Sequence, residues 1–183
     1  MKPHSDLCCF AWVRLWFVLL ALVLLPHVAL AQGSDVETLR HQADRGDAVA
    51  QWGLGFMYHH GRGVPQNHAA AVRWYRAAAE QGLALAQSNL GFMYHHGHGA
   101  PQNHAAAVRW YRAAAEQGLA LAQNNLGFMY YHGFGMPQNH ATAVRWYRAA
   151  AEQGNALAQW RLGFMYNHGH GVPQNHALSL IHI

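Results

Sequence analysis

The sequence predicts an all-α, right-handed solenoid of 36-residue helix–turn–helix repeats. Three observations carry that expectation. The string NHAAAVRWYRAAAEQG begins at Asn67 and recurs 36 residues on at Asn103, then again at Asn139 with a single change at Thr142. The string LGFMY begins at Leu54, Leu90, Leu126 and Leu162, also 36 residues apart. Between these strings, glycine- and proline-bearing segments such as Gly61-Arg62-Gly63-Val64-Pro65 interrupt two helical patterns per period. Strict self-similarity at such a period is the mark of a stacked repeat, in which one unit cannot bury its apolar face alone.

Each unit supplies its own start and stop signals. Helix A of the first copy is expected over about Ala48 to His60, where Ala50, Leu54, Met57 and Tyr58 fall on one face of a helical period. Asp47 and Asn155 are side-chain N-caps for the first and fourth copies, whereas Leu83 and Leu119 at that position have no capping atom. Asn67 caps helix B, whose stripe is Ala71, Trp74, Tyr75 and Ala78, and Gly82 follows it as a left-handed terminator. Trp74, Tyr75 and their copies are therefore read as core. The units run 47–82, 83–118, 119–154 and, in part, 155–177.

The two ends depart from the pattern. Residues 1–31 read as a secretory signal: Lys2 and Arg14 are basic, Leu15 to Leu25 is apolar, and Ala29-Leu30-Ala31 is a small-residue cleavage site. The apolar run is short for a membrane span and is interrupted by Pro26 and His27, so no stable span is expected after cleavage; an uncleaved anchor is the alternative. Residues 32–46 form an N-terminal capping helix, with Thr38 and Leu39 in place of Trp-Tyr. Leu178-Ser179-Leu180-Ile181-His182-Ile183 is what CTG TCT CTT ATA CAC ATC encodes, which matches a transposon-end adapter of sequencing libraries. Residues 178–183 are accordingly expected to be adapter sequence and the chain a fragment of a longer array. Leu162 and Tyr166 of the last helix A should then stand uncovered.

Composition narrows the function. Of 183 residues, 52% are apolar and 11% charged, which suits a packed fold rather than a disordered chain. Both cysteines, Cys8 and Cys9, lie in the signal, so the mature chain has no disulfide, thiol nucleophile or cysteine zinc site. No serine sits in a nucleophile motif and no glycine loop cradles phosphate, so no enzyme and no cofactor is expected. The arginine pairs Arg73/Arg76, Arg109/Arg112 and Arg145/Arg148 draw a basic line along helix B, but a secreted chain seldom meets nucleic acid and the line reads as a solvated face.

The pattern Ala50-x-x-x-Leu54-Gly55-x-x-Tyr58-x-x-Gly61-x-Gly63-Val64-Pro65, followed by Ala71-x-x-Trp74-Tyr75-x-x-Ala78-Ala79-Glu80-Gln81-Gly82, resembles the Sel-1-like repeat, a relative of the tetratricopeptide repeat. The resemblance covers residues 47–177. It implies an adaptor or assembly scaffold whose variable surface positions choose a protein partner. Some secreted, cysteine-rich members have β-lactamase or peptidoglycan-related activity attributed to them, so an envelope hydrolase is the alternative; the absence of cysteine from the mature chain counts against it.

Two further features bear on binding. The chain has sixteen histidines, and sets of them gather around the A–B loops, as in His95, His96, His98 and His104 or His168, His170 and His176, a composition suited to a transition metal. Equivalent copies in successive repeats should stand roughly 10 Å apart, too far to share an ion, and no metal site is assigned. The stronger candidate is the side of helix A opposite Ala50 and Leu54. There Trp52, Phe56 and His59 recur as Phe92 and His95, as Phe128 and Tyr131, and as Trp160 and Phe164. Copies of Trp52 (Ser88, Asn124) and of His59 (Asn167) vary on this same side. The expected protein is a secreted or periplasmic monomer that grips a protein, peptide or glycan through this face.

Overall fold

The computed structural model describes residues 36–181. The expected signal and its cleavage site lie outside the described residues, as do the final two residues of the chain. A helix over residues 36–44 (α1) is followed by α2 Ala48–His60, α3 His68–Glu80, α4 Ala84–His96, α5 His104–Glu116, α6 Ala120–His132, α7 His140–Glu152, α8 Ala156–His168 and α9 His176–Ile181. The described chain is thus the predicted α-solenoid, with A helices α2, α4, α6 and α8 and B helices α3, α5, α7 and α9. No helix among the described residues is long and apolar enough to cross a membrane.

Capping follows the side chains available. Asp47 accepts from the Ala50 amide at 2.6 Å and Asn155 from the Ala158 amide at 2.9 Å, while Leu83 and Leu119 make no side-chain cap. Asn67, Asn103 and Asn139 each accept from the amide three residues on. The Pro-Gln-Asn loop also closes helix A: Gln66 Nε2 donates to the His59 carbonyl at 2.8 Å and the Asn67 amide to the Tyr58 carbonyl at 2.9 Å.

Each unit contributes the same core. Around the second junction it is Ala107, Val108, Tyr111, Ala114, Ala115, Ala122, Leu126 and Met129, all buried. Tyr111 is the large side chain at its centre, and Trp110 is only half-buried, lying instead against the preceding unit's cluster. Tyrosine fits because helix A presents a glycine to it: a Cβ at Gly91 would lie 2.8 Å from the Tyr111 ring.

Polar clamps join the units. Arg40, Arg76, Arg112 and Arg148 donate to the hydroxyls of Tyr58, Tyr94, Tyr130 and Tyr166, each 18 residues on. The outer member of each arginine pair is therefore an inter-helix tether rather than part of a free basic line. Buried Gln87 and Gln123 donate to the carbonyls of Ala79 and Ala115 near the ends of α3 and α5 at 3.2 and 3.3 Å, and accept from Gln117 and Gln153 at 2.8 Å.

The C-terminal unit differs from expectation. Leu162 is 1% exposed and Tyr166 half-buried, because the chain turns at His176 into the short α9 that packs on α8, and Leu162 joins the core cluster of α7. Residues 178–181 continue that helix.

Candidate functional site

The side of helix A opposite the core carries a repeated cluster of rings. At the first junction His59 lies 5.2 Å from His68 and 6.3 Å from His98, with His68 and His98 5.3 Å apart (ring centroids throughout). Phe92 of the next helix A sits edge-on to His59 at 6.0 Å. At the second junction the same four places hold His95, His104, Phe134 and Phe128, with His95–His104 at 5.0 Å and His104–Phe134 at 4.9 Å. At the third they hold Tyr131, His140, His170 and Phe164, with Tyr131–His140 at 5.0 Å and His140–His170 at 5.2 Å.

Residue types explain why these rings meet. Histidine opens every helix B directly after the capping asparagine, and the positive-φ glycine of the following loop packs against that helix start. At Gly135 (φ 73°) a Cβ would lie 2.5 Å from the His104 carbonyl carbon. Only a residue without a Cβ allows this approach, and it delivers the neighbouring loop residue, His98, Phe134 or His170, onto the ring cluster.

Between the rings lie three clefts, one per junction. The first, of about 200 Å³, is lined by Phe56, His59, His60, Tyr75, Asn89 and Phe92 among others. The second, of about 220 Å³, has Phe92, His95, His96, Tyr111, Phe128 and Arg161. The third, of about 230 Å³, has Phe128, Tyr131, Tyr147, Trp160, Arg161 and Phe164. The helix B tyrosine is part of each, and Phe92 and Phe128 each border two clefts.

The predicted face residues therefore gather in one place, although not uniformly. Phe92 (37% exposed), Trp160 (55%) and Phe164 (36%) are open, while Trp52, Phe56, His59, His95, Phe128 and Tyr131 are half-buried. Trp52 and Phe56 lie tilted to each other at 6.1 Å and Trp160 and Phe164 at 6.2 Å, but Ser88 and Asn124, the counterparts of the tryptophans in the middle copies, are buried. Spacing along one helix did not reveal His68, His104 and His140, the loop rings, or Arg161. The signal available was the offset of 39 residues, one repeat plus three, between His59 and His98.

Four of the imidazoles are shifted toward the neutral form. Burial, and then the charges of His96, His104 and His132, push His95 down to about 4; burial likewise lowers His59, His96 and His132. His95 and His104 face each other through their Nδ1 atoms at 3.2 Å, a contact that needs one donor and one acceptor. Histidines of adjacent units that are not equivalent copies also meet, His68 with His98 at 5.3 Å and His140 with His170 at 5.2 Å between ring centroids. Even so, no group of three or more His, Asp or Glu side chains among the described residues is placed to hold a metal ion.

The chain matches the Sel1 repeat family over residues 48–83, 84–119, 120–155 and 156–182. It is similar to the crystal structure of a protective antigen present in uropathogenic Escherichia coli strains and displaying an SLR fold. The two share 42% identity at a TM-score of 0.81, over 82% of this chain and 32% of that one. It is also similar to a Sel1 repeat protein from Oxalobacter formigenes, at 40% identity and a TM-score of 0.70, over 75% of this chain and 57% of that one. The chain thus spans about a third of the first structure and somewhat over half of the second. No curated protein sequence matches it.

Proposed function

Because the chain belongs to the Sel1 repeat family, whose fold suits protein–protein interaction, we propose that it is an exported binding scaffold holding a peptide segment of a partner protein along the helix A face. One observation carries this reading. Three clefts of the same construction stand in register at successive junctions, and four of the positions at which the units differ lie beside them. These are Trp52/Ser88/Asn124/Trp160, Gly53/Asn89/Asn125/Arg161, His59/His95/Tyr131/Asn167 and Arg62/His98/Phe134/His170; the cap set Asp47/Leu83/Leu119/Asn155 and the loop set Val64/Ala100/Met136/Val172 vary too, whereas LGFMY is unchanged in all four. Cleft walls rich in aromatic rings suit apolar anchor side chains, which dominate binding energy at such surfaces.

Export rests on the basic, apolar and Ala-x-Ala order of residues 1–31, and the similarity to a protein described as a protective antigen favours it. Intact mass of the exported protein tests it; a mature chain beginning upstream of Ala29 overturns it. For binding, a displayed random-peptide library is selected on the purified array. The expected result is a set of peptides retained by the wild type and lost by the double variant Phe92→Ala, Phe128→Ala, with the helical signal of that variant intact. Peptides retained equally by both proteins overturn the assignment of the face.

A further inference from the structure

Arg161 departs from its own repeat. The equivalent residues are Gly53, Asn89 and Asn125, so the helix A backbone and core have no need of a cation there. Its guanidinium is half-buried, stands 4.9 Å above the Phe128 ring and 5.6 Å from that of Tyr147, and Nη1 donates to Asn124 Oδ1 at 2.9 Å. Among the described residues it forms no ion pair, leaving most of its five N–H donors unused. Withdrawing a guanidinium partly from water without a counter-ion carries a cost that a ligand carboxylate would offset. Burial pulls Arg161 below its ordinary value, in keeping with that cost. It also borders both the second and the third cleft, and is the one permanently charged side chain lining either.

We propose that Arg161 is the anchor for an Asp or Glu side chain of a bound peptide, whose apolar neighbours on either side enter the two clefts. This rests on the scaffold reading above and names the chemistry its partner carries. The planar fork of arginine matches a carboxylate in bidentate fashion. One negative charge suits the site better than the double charge of a phosphate, since His95 and His132 are held toward the neutral form and one cation remains. A side chain fits better than a chain terminus. Arg161 lies between two clefts, so a ligand that ended there would fill one of them and leave the other empty.

The test uses heptapeptides displayed with both ends fused, selected on the full chain and on Arg161→Asn, which restores the residue found at Asn89 and Asn125 and so keeps the fold. The wild type is expected to enrich sequences with a central Asp or Glu flanked by apolar residues, and the variant is not. For a selected peptide, Glu→Gln should weaken binding at least tenfold on the wild type and leave it unchanged on Arg161→Asn. Selected peptides without an acid overturn the carboxylate anchor and leave the scaffold standing. Equal loss from Glu→Gln on both proteins overturns the assignment to Arg161. Tighter binding of peptides with a free C-terminal carboxylate overturns the side-chain assignment. No enrichment on either protein overturns the binding face together with its anchor.

Discussion

At the scale of single residues, glycine and histidine carry the most unusual demands. A Cβ at Gly127 would lie 2.8 Å from the Tyr147 ring, and that tyrosine is buried. Gly127→Ala is therefore expected to lower stability by about 1–3 kcal/mol through overpacking, read as a drop in the denaturant midpoint at unchanged slope. The histidines set a pH dependence. A group whose folded value lies below its unfolded one binds fewer protons folded than unfolded, so stability falls as pH drops through the interval between them. For His95 that interval runs from the ordinary 6.5 of a free imidazole down to about 4, with His59, His96 and His132 shifted the same way. The melting temperature should hold near its plateau above pH 7, fall by several degrees between pH 6.5 and 4, and level off below. His95→Phe, which mimics the Phe134 already present in the same cluster, should flatten that slope. An unchanged slope in the variant removes His95 from the explanation.

At the scale of elements, the glutamines show how one helix end is completed by the next helix. Gln123 is buried, donates to the Ala115 carbonyl at the end of α5, and accepts from Gln153 at the end of α7. Gln123→Leu leaves both partners without it and is expected to cost about 1–3 kcal/mol in chemical denaturation. Arg109→Ala, on the exposed side of α5, should stay within about 0.5 kcal/mol. Contacts of this kind mark the limit of what the chain discloses before it folds. Helix A over Ala48–His60 and the asparagine caps were legible because periodicity and capping act within a few residues. The Arg112–Tyr130 tether, at an offset of 18, and the Gln117–Gln87 bond, at 30, were not, since nothing local marks which side chains become neighbours. The aromatic face was half legible. Its phenylalanines follow from helical angle, but Ser88 and Asn124 are buried by the adjoining unit, and Arg161 gains meaning only where two clefts meet.

At the scale of the whole molecule, two aromatic sets face opposite requirements. Tyr111 is 2% exposed inside the central cluster, so Tyr111→Ala should cost about 3–5 kcal/mol and melt the middle of the array. Replacing both Phe92 and Phe128 with alanine should cost less than that single change, because Phe92 is 37% exposed and Phe128 half-buried at a cleft wall. Calorimetry of the three proteins decides it, and a double variant less stable than Tyr111→Ala would make the phenylalanines part of the core. A peptide lying across the clefts would also bridge neighbouring units, so its binding should raise the melting temperature of the array as a whole.

That Phe92 and Phe128 each wall two clefts has a consequence for how such a chain can change over generations. The recess belongs to no single unit but to the seam between two, so copying one unit within the gene creates a new seam and, with it, a recess already roofed and in line with the others. The duplicate needs no invention of its own beyond a substitution or two on helix A, of the kind that separates Asn125 from Arg161. On the proposed reading, ligand reach and ligand choice would then be inherited separately: the first by counting units, the second by editing a handful of side chains within them.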